Sequence, residues 1–162
     1  MSRPTSLAAA ETGIPFQARA PYIPWLRVHI LVPTRSRMLT NLLTDNLAST
    51  KALFTELLDF RVEFEADWFI SLVGPEGSQL GIMLRTSEFV PEAYQQPAQG
   101  VMITLVVDGV DRYYEKANQF GLQIVEAPRD LPYGQRRLLI RDASGALIDV
   151  SSPTAPLDPE YS

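Results

Sequence analysis

Few side chains in this sequence are equipped for chemistry. Cysteine is absent, which excludes disulfides, thiolate metal sites and a cysteine nucleophile. The single histidine, His29, stands far from the patterned part of the chain and reads as incidental. Ser144-Gly145 has no histidine or general base in a nucleophile-elbow context, which argues against a hydrolase. Gly74-Pro75-Glu76-Gly77 is a hairpin turn rather than a phosphate-binding loop. What remains is a group of charges near the C-terminus: Arg137, Arg141 and Asp149. Arg137 and Arg141 share one face of a strand because four residues separate them. If that face is inward, a guanidinium selects an anionic or carbonyl-bearing ligand through bidentate hydrogen bonds; the alternative is that Arg136, Arg137 and Arg141 pair with surface carboxylates. Asp149 lies between Ile148 and Val150 and is either a cavity acid or a strand-edge surface residue. Trp68 and Phe69, adjacent on a predicted strand, should point to opposite faces, one into the core and the other toward a cavity. There Trp68 would form a platform for a planar ligand.

These groups are held by a duplicated unit. Asp45-Asn46-Leu47-Ala48 opens a helical stretch that closes at Phe60, with polar caps offered by Thr44 to Asn46 and an apolar stripe of Leu47, Phe54, Leu57 and Leu58. Strands are predicted before it at Leu39 to Thr44, and after it at Arg61 to Glu65, Trp68 to Val73 and Leu80 to Leu84. The same order recurs: a β-branched run from Val101 to Val107, then a helix over about Val110 to Phe120 with Asp108 as N-cap and Gly121 as the left-handed C-terminal residue. Three strands follow at Leu122 to Val125, Arg137 to Arg141 and Ala146 to Ser151, the last two joined by Asp142-Ala143-Ser144-Gly145. A repeat of roughly 60 residues implies two βαβββ units, which set side by side would curl their sheets around a shared cavity.

The 162 residues suit one domain, and 46% hydrophobic content supplies a core. No apolar run reaches the roughly 18 to 20 residues of a membrane helix, so a soluble, cytoplasmic protein without membrane partners is expected. Residues 1–37 hold five arginines against one acid, leaving 38–162 with nine basic and eighteen acidic residues. An acidic body repels phosphate backbones, so no nucleic-acid partner is expected. The basic, proline-rich leader reads as a mis-called start ahead of Met38 or a disordered segment, as an organelle-targeting peptide, or as an arm ordered over Tyr22 to Val32. Residues 86–100, with Pro91, Pro97 and Gly100, form a connector, and 153–162 a tail.

Asp45-Asn46-Leu47 with Leu57-Leu58-Asp59-Phe60, Val107-Asp108-Gly109-Val110-Asp111, and Gly134-Gln135-Arg136-Arg137 leading to Arg141-Asp142-Ala143-Ser144-Gly145-Ala146-Leu147-Ile148-Asp149 together resemble the vicinal oxygen chelate superfamily. That group includes glyoxalase I, extradiol dioxygenases and bleomycin-binding proteins. The resemblance covers about residues 39 to 152 and implies an α+β fold of two tandem βαβββ modules (38–85 and 101–152) forming a half-open sheet cup, commonly in homodimers. Metal-dependent members place ligands on the first and last strand of each module, positions that fall here near Leu39, Leu84 or its neighbours, Met102 and Asp149. Only Asp149 is a ligand type, and one carboxylate cannot replace a cation's hydration shell. A one-residue slip would instead make Asn41 and Arg85 the polar lining.

The resemblance therefore implies metal-free binding of a small organic molecule by a homodimer, with no cofactor. Met83 and Met102 occupy positions that point into the cup in relatives, and Tyr133-Gly134-Gln135 resembles a loop that closes over its mouth, although it is equally readable as a plain turn. The expected ligand-binding set is thus Trp68, Met83, Met102, Tyr133, Arg137 and Asp149, with no catalytic residue assigned. The alternatives are a divalent-metal lyase or dioxygenase of glyoxalase type, and a protein-binding adaptor on the same scaffold.

Overall fold

A chain that makes one helix for every four strands can cover only one face of each sheet. The computed structural model describes residues 38–154. Strand β1 (Thr40–Thr44) leads into helix α1 (Leu47–Ala52), which widens into a π-helical turn (Leu53–Leu57), and β2 (Arg61–Glu65), β3 (Phe69–Val73) and β4 (Gln79–Leu84) complete the first module. The second repeats the order with β5 (Met102–Val106), α2 (Asp111–Gln119), β6 (Gln123–Leu131), β7 (Gln135–Arg141) and β8 (Leu147–Pro153). The sheets run β1-β4-β3-β2 and β5-β8-β7-β6. In each, the first and last strands pair in parallel and the other pairs are antiparallel. This is the expected α+β fold of two tandem βαβββ modules, each with an open four-stranded sheet. The leader over 1–37, with His29, and most of the tail lie outside the described residues.

The helices form where the sequence offers caps and an apolar stripe. The Asn46 side chain accepts the Ser49 N–H at 3.0 Å and starts α1. The helix ends with the Phe60 N–H donating to the Phe54 carbonyl at 3.0 Å, across Asp59 at φ 58°. Leu53, Phe54, Leu57 and Leu58 are all buried. Helix α2 ends at Gly121, φ 64°, as its C-terminal signal requires. Its other end departs from expectation: the cap is Val110, with no side-chain hydrogen bond. Gly109 at φ 75° turns the chain between Asp108 and the helix and leaves that carboxylate too far upstream to cap. Val110, Tyr113 and Ala117 are buried, whereas Phe120, which helical spacing would add to their stripe, is 47% exposed at the helix end.

One continuous core joins the modules. Leu42, Ile70, Leu72, Leu80 and Ile82 from the first sheet and Leu138, Ile140, Ile148 and Val150 from the second pack with residues of both helices. A buried polar tie crosses the same region: the Thr50 hydroxyl of α1 lies 3.0 Å from the Thr44 hydroxyl and 3.4 Å from the Asp142 carboxylate. Asp142 also accepts the Ser144 N–H at 2.8 Å, closing the turn between β7 and β8. Ser144 is wholly buried, so it serves the turn and not chemistry. Among the described residues no helix is long and apolar enough to cross a membrane.

Asp59 holds a left-handed conformation that costs an L-residue more than glycine. Asp59→Gly should therefore raise the thermal unfolding midpoint by about 2 to 4 °C, and Asp59→Val, β-branched at positive φ, should lower it. Differential scanning calorimetry of the two variants checks the sign.

Candidate functional site

Alternation along each strand sends every second side chain away from the shared core, and these outer faces carry the polar and aromatic groups. On the second sheet the register sets Thr104 opposite Asp149 and Arg137 opposite both Ser151 and Arg129. Asp149 is only 6% exposed. Its Oδ1 accepts the Ser151 hydroxyl at 2.5 Å and its Oδ2 the Thr104 hydroxyl at 3.1 Å. Its burial excludes the reading as a strand-edge surface residue, and both oxygens are satisfied by hydroxyl donors.

Arg137 lies one strand away and donates from Nη2 to Glu126 Oε2 at 2.6 Å. Glu126 also pairs with Arg129. Hydrogen bonding from Arg137, and then from Arg129, holds the Glu126 carboxyl below the usual glutamate range. Reciprocally, the hydrogen bond to Glu126 is the largest influence pushing the Arg137 guanidinium above its ordinary value, and the charges of Tyr133 and Asp149 add to it. The Arg137 Nε is buried and makes no hydrogen bond among the described residues. Arg137 thus matches the carboxylate-paired alternative while keeping one donor unused. Arg136, on the opposite face, bridges Asp111 of α2 and Asp130 of β6 at 2.9 and 3.0 Å, and Asp111 is held below the usual aspartate range chiefly by that hydrogen bond. Arg141 is exposed at the strand end.

The outer face of the first sheet is aromatic. Phe69, 1% exposed, lies against Trp68 with ring centroids 5.5 Å apart; Trp68 in turn meets Phe89 at 4.6 Å, and Phe64 stands 6.5 Å from Phe69. The expectation that Trp68 and Phe69 face opposite ways fails because Trp68 sits in the bend before β3, where the pleat does not govern direction. Met83 pairs in register with Phe69 and is half-buried beside it. Gly81 keeps this face tight: a Cβ there would lie 1.9 Å from Asn41 Oδ1 and 3.0 Å from the Phe69 ring. Leu80 and Ile82 are in the core, so pleat parity puts Leu84 on the helix side and Met83 on the outer side, with Arg85 in the turn that follows. Arg85 Nε lies 2.5 Å from Asp45 Oδ1, close enough for charge pairing though not aligned as a hydrogen bond.

The six expected residues thus divide between two sheets. Arg137, Asp149 and Tyr133 come together on the second, Trp68 and Met83 on the first, and Met102 stands 52% exposed at the start of β5. Tyr133-Gly134 forms the turn between β6 and β7, with Gly134 at φ 81° and its carbonyl accepting the Thr154 N–H at 2.9 Å. Thr104, Ser151 and Glu126 are hydrogen-bond partners of Asp149 and Arg137 that the sequence reasoning missed. The first two lie two residues from Met102 and Asp149, a pleat spacing that places them on the same face; Glu126 follows the residue at which its strand was expected to end. Among the described residues no three of His, Cys, Asp and Glu converge to hold a metal ion.

The family model described as the glyoxalase/bleomycin resistance protein/dioxygenase superfamily matches residues 29–150. No curated protein matches the sequence. Among solved structures, a glyoxalase/bleomycin resistance protein/dioxygenase from Nocardioides is similar with TM-score 0.60 and 20% identity, over 83% of this chain and 95% of its own. A lactoylglutathione lyase from Agrobacterium tumefaciens is similar with TM-score 0.57 and 16% identity, over 74% and 95%. A bleomycin resistance determinant encoded on the transposon Tn5 is similar with TM-score 0.54 and 19% identity, over 75% and 100%. At these identities the likeness is one of fold.

A lowered carboxyl pKa contributes stability that is present above the usual glutamate range and is lost as pH falls through the folded value. Glu126→Gln removes that contribution. The stability difference between the parent and this variant should shrink from neutral pH to about pH 3, and at neutral pH it should shrink modestly with added salt because Arg129 is exposed while Arg137 and Glu126 are partly buried. Urea titrations across pH measure both.

Proposed function

Because the chain belongs to the glyoxalase/bleomycin resistance protein/dioxygenase superfamily, we propose that it binds a small organic molecule without a metal ion, between the aromatic outer face of one sheet and the hydrogen-bonding outer face of the other. A homodimer would bring the two kinds of face together. The observation that carries this reading is the state of Asp149: both its oxygens accept hydroxyl hydrogen bonds, from Ser151 and Thr104. The other family ligand positions fall near Leu39, Leu84 or its neighbours, and Met102, and the side chains of Leu39, Met83, Leu84 and Met102 carry no oxygen or nitrogen. This donor set does not fit a divalent cation, which takes three or more such atoms.

It suits an organic ligand better. Trp68, Phe89 and Met83, backed by the buried Phe69, offer adaptable apolar area for a planar group. Opposite them Asp149 accepts from a ligand N–H or O–H, and the partly exposed Arg137 guanidinium faces a ligand carbonyl. The charges of Arg137 and Glu126 offset each other, so this surface recognises dipoles as readily as ions. No proton-transfer group stands among them with a partner arranged for catalysis, which favours binding over turnover.

Titration with planar aromatic and cationic compounds should change the fluorescence of Trp68, and Trp68→Phe should abolish that change while leaving calorimetric binding detectable. Asp149→Asn, which keeps shape and removes charge, should weaken binding about tenfold, the scale of a charged hydrogen bond. Sedimentation should give twice the mass of the chain. Stoichiometric zinc, nickel, manganese or iron in protein purified without chelator, or flat traces for every compound, would overturn the proposal in favour of a metal-dependent lyase or dioxygenase, or of an adaptor.

A further inference from the structure

The outer faces are not the only place where a ligand fits. A cavity of about 360 Å³ lies on the helix side, at the junction of the two modules. Its apolar wall is made by Phe54 and Leu58 at the π-helical end of α1, by Phe60 and Leu80, and by Tyr113 of α2. Tyr113 is fixed in place: its hydroxyl accepts from Arg112 Nη2 at 3.0 Å.

The remaining wall is unusual. Five consecutive residues, Ile103 to Val107, line it. A strand that presented a face would contribute every second residue, so β5 presents its edge. Among the described residues β5 pairs only with β8. Val101 accepts from the Leu147 N–H and the Val107 N–H donates to Ser151, so the odd-numbered residues turn their backbone groups toward β8. By the alternation of a parallel ladder, Thr104 and Val106 turn theirs to the other edge, where two N–H and two C=O groups have no partner among the described residues.

Two backbone irregularities border the same space. Glu76, another lining residue, holds φ 59°, and Asp59, between Leu58 and Phe60, holds φ 58°. Strained positions of this kind concentrate at binding sites. Glu76 is also the one charged side chain among the lining residues.

We propose that this junctional cavity is a second binding site, for a small aromatic molecule carrying a cationic amine. The ring is held by Phe54, Phe60 and Tyr113, the amine N–H groups donate to the free carbonyls of Thr104 and Val106, and Glu76 at the rim favours positive over negative charge. A peptide strand added along β5, or a second copy of the chain seated there, would use the same backbone groups but would leave the aromatic wall unexplained.

The test uses tryptamine and indole-3-acetate, which share a ring and differ in charge, with the full chain followed by amide and methyl NMR. Tryptamine should shift resonances of Leu58, Leu80 and Ile103 to Val107. Indole-3-acetate should bind more weakly, and Glu76→Gln should narrow the gap between the two probes by about threefold, the scale of one exposed charge pair. Thr40→Trp and Ser78→Trp, both at exposed lining positions, should each block the tryptamine shifts; two separate plugs guard against one of them misfolding. The proposal is overturned if tryptamine leaves Ile103 to Val107 unmoved, if it shifts only outer-face residues such as Met83 and Val125, or if binding survives both plugs in folded protein. It is equally overturned if those resonances change only with protein concentration, which would assign the edge to a second copy.

Discussion

Everything else in this molecule depends on how one apolar stripe per helix is spent. Each module owns a single helix, and the stripes of α1 and α2 are buried against the inner faces of both sheets and against each other. Burying Leu57 or Ile140 removes them wholly from water, each contributing about 1.5 to 3 kcal/mol. No described helix is left to cover the opposite side of either sheet, where side chains such as Phe69 and Asp149 are buried by their neighbours instead. A sheet with one bare face must make that face polar, cover it with its own large side chains, or present it to a partner.

The two modules settle this differently. The first fills its outer face with rings, Phe64, Trp68, Phe69 and Phe89, packed over a glycine that cannot be enlarged without displacing Asn41. The second uses a hydroxyl-lined carboxylate and an arginine braced by Glu126. Duplication has kept the backbone plan and let the surfaces diverge, so one half offers shape and area while the other offers direction through hydrogen bonds. A ligand that touched both would be gripped by burial and oriented by polar contacts.

Sequence patterns were informative where a local rule fixes the outcome. Gly121 and the turns at 74–77 and 142–145 were legible because backbone sign and turn chemistry are properties of a few adjacent residues. The stripe of Leu47, Phe54, Leu57 and Leu58 was legible from spacing, though not that its second half would widen into a π turn. Strand β6 was expected to stop at Val125; it continues through Pro128 to Leu131 because among the described residues β6 is an edge strand paired only with β7, where a missing N–H is tolerated. Trp68 was misdirected by treating a bend as pleat. The junctional cavity was invisible because its walls come from segments far apart in sequence, and no local pattern encodes which of them meet.

The tie between Thr50 and Asp142 bears on how such a protein can have come about. In an ancestral single unit, a helix needs nothing from another copy's turn. Here a hydroxyl in the earlier half rests on a carboxylate contributed by the later one, inside a region that water does not reach. Each group keeps one partner in its own half, Thr44 for the hydroxyl and the Ser144 N–H for the carboxylate, so the contact between them knits together two interiors that are otherwise locally complete.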